Sequence, residues 1–164
     1  ERFTAALLAA IAAPLPAAIG LPEPSTSDRV GICDDENDKV FTGAWDRIEL
    51  QDCKRVRIHD ATIRHLSVED SDVTIEHSRV QGGPICIRLK DSELTATGLV
   101  VRAPVAFDLE SSRLDLAGAD VEASQAAFRA SESSRALFSA CRVVSPYTAG
   151  SLHGLRQVTE ERPL

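Results

Sequence analysis

Four cysteines, at positions 33, 53, 86 and 141, are the side chains of this sequence best suited to covalent chemistry. Cys53 takes a turn position that serine holds elsewhere in the chain, so we expect it near the surface, with Cys33 shortly before it. In an oxidising compartment these two would form a disulfide, and a closed loop of about 20 residues would stabilise the fold by about 3 kcal/mol. Cys141 falls in an inward apolar position, whereas Cys86 is expected outward or at a bend.

The remaining polar residues do not indicate metal binding or nucleophilic catalysis. The chain has no C-x-x-C pair and no His/Cys spacing of the zinc type. The acidic run at residues 34–38 has some likeness to a calcium loop, but the places that require glycine and glutamate hold Lys39 and Trp45. Phosphate-binding glycine loops, nucleophile elbows and paired-carboxylate motifs are missing from the sequence. We therefore expect no metal, no cofactor and no catalytic residue.

The four histidines, at positions 59, 65, 77 and 153, form no recognisable catalytic group. His59 and His77 hold matching places in the repeat described next, and we expect one to lie above the other. A stacked pair would repel when both rings are protonated, so it would act as a weak pH sensor. The alternative is that both are surface residues at a bend.

A repeat of about twenty residues must position all of these side chains. Its marker is a two-residue polar step that occurs five times: Asp52-Cys53, Asp70-Ser71, Asp91-Ser92, Ser111-Ser112 and Ser133-Ser134. The second residue of the step recurs after 18, 21, 20 and 22 positions. A nearly constant period in this range is typical of solenoid proteins.

Apolar residues alternate with polar ones on both sides of each polar step. A period of two predicts β-strands, because successive side chains point to opposite faces. Each repeat therefore holds three short strands, and each strand contributes a pair of inward residues. Before the polar step the pairs are Ile48/Leu50, Leu66/Val68, Ile87/Leu89, Phe107/Leu109 and Phe128/Ala130. After the step they are Val56/Ile58, Val73/Ile75, Leu94/Ala96, Leu114/Leu116 and Ala136/Phe138, and at the end of the repeat they are Ala61/Ile63, Ser78/Val80, Leu99/Val101, Ala119/Val121 and Cys141/Val143.

These patterns predict an all-β fold in which about five repeats form the coils of a parallel β-helix. A sandwich of hairpins is the alternative, since strands about eight to twelve residues apart also suggest one. The return of the same residue class at the same phase of each repeat favours the β-helix.

The outward positions form two columns of mostly charged residues. One column holds Glu49, Ser67, Arg88, Asp108 and Arg129, and the other holds Gln51, Glu69, Lys90, Glu110 and Ser131. Neighbouring coils lie about 4.8 Å apart, and opposite charges stacked at that distance contribute roughly 0.2–1 kcal/mol per pair. A charged ligand groove would use five of these residues, namely Arg88, Lys90, Asp108, Glu110 and Arg129. The alternative is a solvated ladder of ion pairs.

Composition bounds the class of partner. The net charge is −7, and the basic residues alternate with acidic ones. Nucleic-acid binding requires lysine and arginine gathered on one face, so we expect no nucleic acid as a partner.

Two further features of the composition concern the core and the start of the sequence. Only 4% of the residues are aromatic, which fits a narrow aliphatic core. Met is absent even from position 1, so we expect the sequence to begin after processing or within a longer polypeptide.

Residues 3–21 carry no charge, and three interpretations of this segment stay open. It fits a secretory signal remnant, with Ala10-Ile11-Ala12 as the cleavage region. It also fits a membrane span, although Pro14 and Pro16 interrupt it. The third interpretation is a helix that covers the open end of the solenoid.

The whole chain is thus expected to divide into four parts. They are a hydrophobic helix at 1–21, a linker and acidic loop at 22–40, the β-helix at 41–146 and a C-terminal tail at 147–164. The tail would cover the last coil or dock onto another subunit.

Residues 68–80 (Val-Glu-Asp-Ser-Asp-Val-Thr-Ile-Glu-His-Ser-Arg-Val) show the repeat most clearly. The cycle resembles the right-handed parallel β-helix repeats of the pectate-lyase-like superfamily over about 100 of the 164 residues. The resemblance implies a right-handed β-helix. Enzymes of that superfamily have more coils and long loops with clustered acids and a base, so none of their catalytic residues can be carried over to these tight turns.

Two further resemblances concern the whole protein rather than its chemistry. Bactofilins, which are short polymerising β-helices, are similar in size, but their glycine-rich coil signature is missing here. The chain also looks like the β-helical segments of bacterial membrane or cell-envelope proteins.

These observations predict a non-catalytic scaffold or interaction domain of the bacterial cell envelope, membrane-anchored, periplasmic or secreted. Its partner would be a protein or a glycan. The alternatives are a fragment of a carbohydrate-active enzyme and a scaffold that polymerises end to end through the open ends of the solenoid. Fold alone does not decide among these functions.

Overall fold

The computed structural model describes residues 26–131, 133–146 and 149–158, the last range as backbone. This part of the chain is an all-β parallel solenoid of about six coils and contains no helix. The predicted β-helix is confirmed. The hydrophobic segment at residues 3–21, with its three interpretations, lies outside the described residues.

Twelve strands build the solenoid, and the longer ones bend around corners of the coil instead of ending there. In chain order they are β1 (Val30–Asp34), β2 (Val40–Gln51), β3 (Val56–Glu69), β4 (Asp72–Glu76), β5 (Arg79–Gln81), β6 (Ile85–Lys90), β7 (Glu93–Thr97), β8 (Val100–Glu110), β9 (Arg113–Ala117), β10 (Asp120–Ala130), β11 (Arg135–Val144) and β12 (Ala149–Val158).

Equivalent positions of successive coils stack in register, as the repeat predicts. The central column runs through the pairs Ile48↔Leu66, Leu66↔Ile87, Ile87↔Phe107 and Phe107↔Phe128, all parallel. The inward residues of all three strand positions are buried, except that Phe128 is half-buried. The core is therefore one continuous aliphatic file with phenylalanine stacking towards its C-terminal end, where the Phe107 and Phe128 ring centroids are 5.3 Å apart.

Positive backbone φ angles turn the chain at two corners of each coil. The first corner holds Asp35, Asp52, Asp70, Asp91 and Ser111, and the second holds Asp60, His77, Gly98, Gly118 and Ala140, all with φ between 45° and 63°. Aspartate and glycine adopt this left-handed conformation more readily than β-branched residues. This preference explains why the first residue of the polar step is so often aspartate.

The second residue of the polar step points into the core and continues as a ladder of hydroxyl groups. The Ser71 Oγ accepts a hydrogen bond from the Cys53 N–H at 2.8 Å and donates one to the Glu69 carbonyl at 2.7 Å. Ser92 and Ser112 repeat both bonds in the next coils. The hydroxyl groups thus satisfy corner backbone groups that would otherwise be buried without a partner.

Replacement of Ser71 by alanine is expected to lower the free energy of unfolding by about 1–3 kcal/mol, because the buried Cys53 N–H loses its acceptor. The matched control is Ser67→Ala on β3, where the side chain faces outward beside the buried Leu66. Urea unfolding of both variants measures the difference. Equal, near-zero losses for the two variants would show that the hydroxyl ladder does not stabilise the coil.

Three expectations about cysteines and coil number need correction. Cys33 and Cys53 form the predicted disulfide, but Cys53 is 0% exposed, because the step turns its second residue inward. Cys86 is also buried instead of outward, and burial raises the pKa of its thiol to about 11. The segment expected to be linker and acidic loop contains β1, which pairs with residues 47–51 and adds a coil before residue 41.

The C-terminal tail covers the last coil, which is the first of the two roles expected for it. β12 runs antiparallel to β11, from the pair Ala136↔Val158 to the pair Val144↔Ala149. It therefore occupies the edge of the last coil, where a further parallel coil would otherwise pair. End-to-end stacking through this end of the solenoid would require β12 to move.

Candidate functional site

The predicted binding residues lie together on one flat side of the solenoid, here called the first face. It consists of residues 47–51, 65–69, 85–90, 105–110 and 126–130, paired in register. β6 carries Arg88 and Lys90, β8 carries Asp108 and Glu110, and β10 carries Arg129. The two outward columns that the sequence predicts are thus formed, with Arg88↔Asp108 and Lys90↔Glu110 as register partners.

Ion pairs between coils neutralise much of the charge on the first face. The Arg88 Nε lies 3.5 Å from the Asp108 Oδ2, and the Lys90 Nζ lies 2.7 Å from the Glu69 Oε1. The hydrogen bond with Glu69 raises the pKa of Lys90 above its ordinary value. These side chains are between 33% and 54% exposed, so each pair contributes little to stability. They remain accessible to a partner.

A second face carries charges in a different order, and the sequence prediction missed it. This second face consists of residues 56–59, 72–76, 93–97, 113–117 and 135–139. Its first outward column is Asp72, Glu93, Arg113 and Arg135, joined by direct register pairs. Two acids therefore stack on each other, followed by two arginines, where the first face alternates in sign.

An open groove of about 310 Å³ follows this column and the adjoining corner. Ser111, Ser133 and Asp91 line it together with the column residues. The Ser111 and Ser133 hydroxyl groups are hydrogen-bonded at 2.9 Å across neighbouring coils. The signal that would have found this column was in the sequence, since each member directly follows the second residue of a polar step.

A third face follows the second corner of each coil and consists of residues 62–63, 79–81, 100–102, 120–122 and 142–144. It holds a network of four charged residues. The Arg102 guanidinium contacts Asp120 at 2.9 Å and Glu122 at 3.2 Å, and Arg142 contacts both acids from the next coil. Burial acts to raise the pKa of Asp120, but hydrogen bonds from the two arginines outweigh it and hold that pKa below its usual value. The two positive charges of this network balance its two negative charges. We therefore interpret it as a link between coils and not as a ligand site.

The predicted stack of His59 on His77 is wrong by one position. Val56 pairs with Val73, an offset of 17, because Arg55 is an additional residue in the corner with φ of 55°. Asp60 therefore stands next to His77, and its carboxylate lies 3.0 Å from the His59 Nδ1 and 2.8 Å from the His77 Nδ1. Hydrogen bonds to His59 and then His77 lower the pKa of Asp60.

Comparisons with known proteins do not assign this site to a family. No family model, curated protein or solved structure matches the chain. Within the described ranges, no cluster of three or more His, Cys, Asp or Glu side chains could hold a metal ion. The same residues include no helix with the length and hydropathy needed to cross a membrane. The faces of the solenoid are the candidate binding surfaces of the described residues.

Proposed function

We propose that this chain is a non-catalytic scaffold or interaction domain of the bacterial cell envelope, which binds a protein or glycan partner through its first face. The observation that carries the proposal is the in-register ladder of long charged side chains across at least four coils of that face. Backbone hydrogen bonds between the coils hold these charges at fixed spacing, so a partner meets a preorganised surface.

The distribution of charge on the first face supports an interaction role. Arg88, Asp108 and Arg129 present both signs on a flat surface, which suits a partner with a complementary pattern. Arg129 makes no ion pair with any residue of the described part of the chain. Its guanidinium is exposed and available to a carboxylate, sulfate or phosphate group of a partner.

The disulfide supports the proposed location. Disulfides persist in secreted and periplasmic proteins and are rare in the reducing cytosol. The Cys33–Cys53 bond thus favours an oxidising compartment. Among the described residues, β1 pairs with β2, and the bond adds a covalent link between β1 and the first polar step.

The test uses the full chain in two arms. A glycan array and an envelope protein extract are probed with the wild-type chain and with Arg88→Glu/Arg129→Glu, which reverses two cations of the first face. The control is Arg57→Glu on the second face, an exposed arginine with one 3.8 Å ion pair. We expect the first-face variant to lose a glycan or protein ligand that the wild type and control retain, with affinity lowered at least about tenfold.

Two outcomes would contradict the proposal. One is a ligand set that is the same for the wild type and the first-face variant. The other is the appearance of new reducing ends or unsaturated sugars when envelope polysaccharides are incubated with the wild-type chain, since that would make the protein a carbohydrate-active enzyme.

A further inference from the structure

The outward column of the second face does not follow the alternation of charge seen on the first face. Asp72 pairs in register with Glu93, and Arg113 pairs with Arg135, so like charges stack on neighbouring coils. Like charges directly opposite each other in a sheet are destabilising. The second face thus departs from the alternation of charge that the first face follows, and such a departure is typical of a functional surface.

Contacts within the chain neutralise this column only in part. The Glu93 Oε1 lies 3.8 Å from the Arg113 Nε, and the Asp72 Oδ1 lies 3.8 Å from the Lys54 Nζ, both long distances for ion pairs. Arg113 also contacts Asp115 at 3.0 Å. Arg135 forms no ion pair with the residues that the structure describes, and its side chain is exposed. The acidic end and the basic end of the column both remain open to an external partner.

We propose that a second copy of this chain docks on the second face, with its solenoid axis reversed. A column of two acids followed by two arginines is complementary to itself when it is turned end for end. A two-fold axis in the interface, parallel to the strands and between β7 and β9, would set Asp72 against the partner's Arg135 and Glu93 against the partner's Arg113. Such an isologous contact is the commonest way in which soluble proteins form dimers.

The other two outward columns of the second face are compatible with the same two-fold pairing. The two-fold axis would place Thr74 against the partner's Leu137 and Thr95 against the partner's Asp115. In the third column it would place Glu76 against the partner's Ser139 and Thr97 against the partner's Ala117. The register of the four coils fixes these pairings, and none of them sets like charges against each other. Most of these side chains are short, which lets the two faces approach closely.

The expected dimer is weak and sensitive to salt. Four coils about 4.8 Å apart with five-residue strands give a flat area on the order of 300 Å² per partner, below the roughly 800 Å² of stable complexes. Electrostatic pairing would supply much of the attraction, and salt screens exposed charges. The inference does not rest on the partner proposed for the first face, and its failure would leave that proposal unaffected.

Sedimentation equilibrium of the full chain at low salt, over concentrations up to the millimolar range, tests the inference with three samples beside the wild type. Asp72→Arg alone and Arg135→Asp alone should each weaken dimerisation about tenfold, because each sets like charges against each other twice per dimer. An equimolar mixture of the two variants should recover the wild-type dissociation constant, since each introduced charge then faces its opposite. The residues preceding β1 are the same in all samples, so association through them would not follow this pattern.

Added salt at 0.5 M should weaken the wild-type dimer, and circular dichroism should show that both variants keep the β-rich fold. Recovery in the mixture, but in neither variant alone, would establish the antiparallel pairing. A wild-type chain that stays monomeric throughout, or a mixture no stronger than its components, would overturn the inference. Dimerisation equal in all samples would place the contact elsewhere and would overturn it as well.

Discussion

Replacement of Phe107 by alanine is expected to lower the free energy of unfolding by about 3–5 kcal/mol. The Phe107 ring is 0% exposed and stacks almost parallel on the Phe128 ring, at an interplanar angle of 5°. It lies in the middle of the central column, between Ile87 and Phe128. The substitution leaves a cavity, which cannot collapse because backbone pairing fixes the coils on both sides. The full loss of unfolding free energy should therefore be measured. Urea or thermal unfolding provides the measurement.

The neighbouring residue supplies the control for this prediction. Asp108→Ala removes an outward side chain from the same strand and breaks one partly exposed contact to Arg88, at 3.5 Å. Its cost should stay below about 1 kcal/mol. A Phe107→Ala loss as small as that of Asp108→Ala would mean that Phe107 is not an interior residue, contrary to the stacked coils.

Loss of the Cys33–Cys53 disulfide is expected to lower the free energy of unfolding by about 3 kcal/mol, because the bond closes a loop of about 20 residues in the unfolded chain. The bond ties β1, at the start of the solenoid, to the first polar step. Both residues are buried, at 1% and 0% exposure, so a Cys33→Ala/Cys53→Ala variant also leaves a small cavity. Unfolding of the wild type in the presence and absence of a thiol reductant measures the effect of the bond itself.

The double variant also provides the control for the reductant. Its two remaining cysteines, Cys86 and Cys141, are buried free thiols, so a reductant should leave its stability unchanged. Labelling of the unfolded wild type without reductant should find two reactive thiols. Four reactive thiols in the purified protein, or no response of the wild type to reductant, would contradict the bond.

The sequence predicted the coil stack because the structure obeys one simple alternation. Strand residues point in and out with a period of two, and Ile87, Phe107 and their equivalents return at each coil. The columns that contain Arg88 and Lys90 could be predicted for the same reason. Whether these residues bind a partner stays a prediction, since charge and register alone do not identify a ligand.

Corners were where the sequence prediction failed, because a corner changes the direction of a side chain without changing the residue type. Cys53 looked like an exposed turn residue, but the positive φ of Asp52 directs it inward. His59 missed His77 by one place because of the additional residue Arg55. β1 was not recognised because Gly31, one of its two inward residues, carries no apolar side chain to mark the alternation.

One measurement tests the parallel stack most directly: backbone nuclear Overhauser contacts between strands in the isotopically labelled chain. A parallel register requires that residue 66 meets residue 87 and that residue 68 meets residue 89, so that the offset stays constant along each pair of strands. The next pairs should be 87 with 107 and 89 with 109, then 107 with 128 and 109 with 130. Hairpins would instead give contacts in which one residue number rises as the other falls, such as 66 with 87 and 68 with 85. The constant offset is the predicted result, and the reversed order would contradict the solenoid.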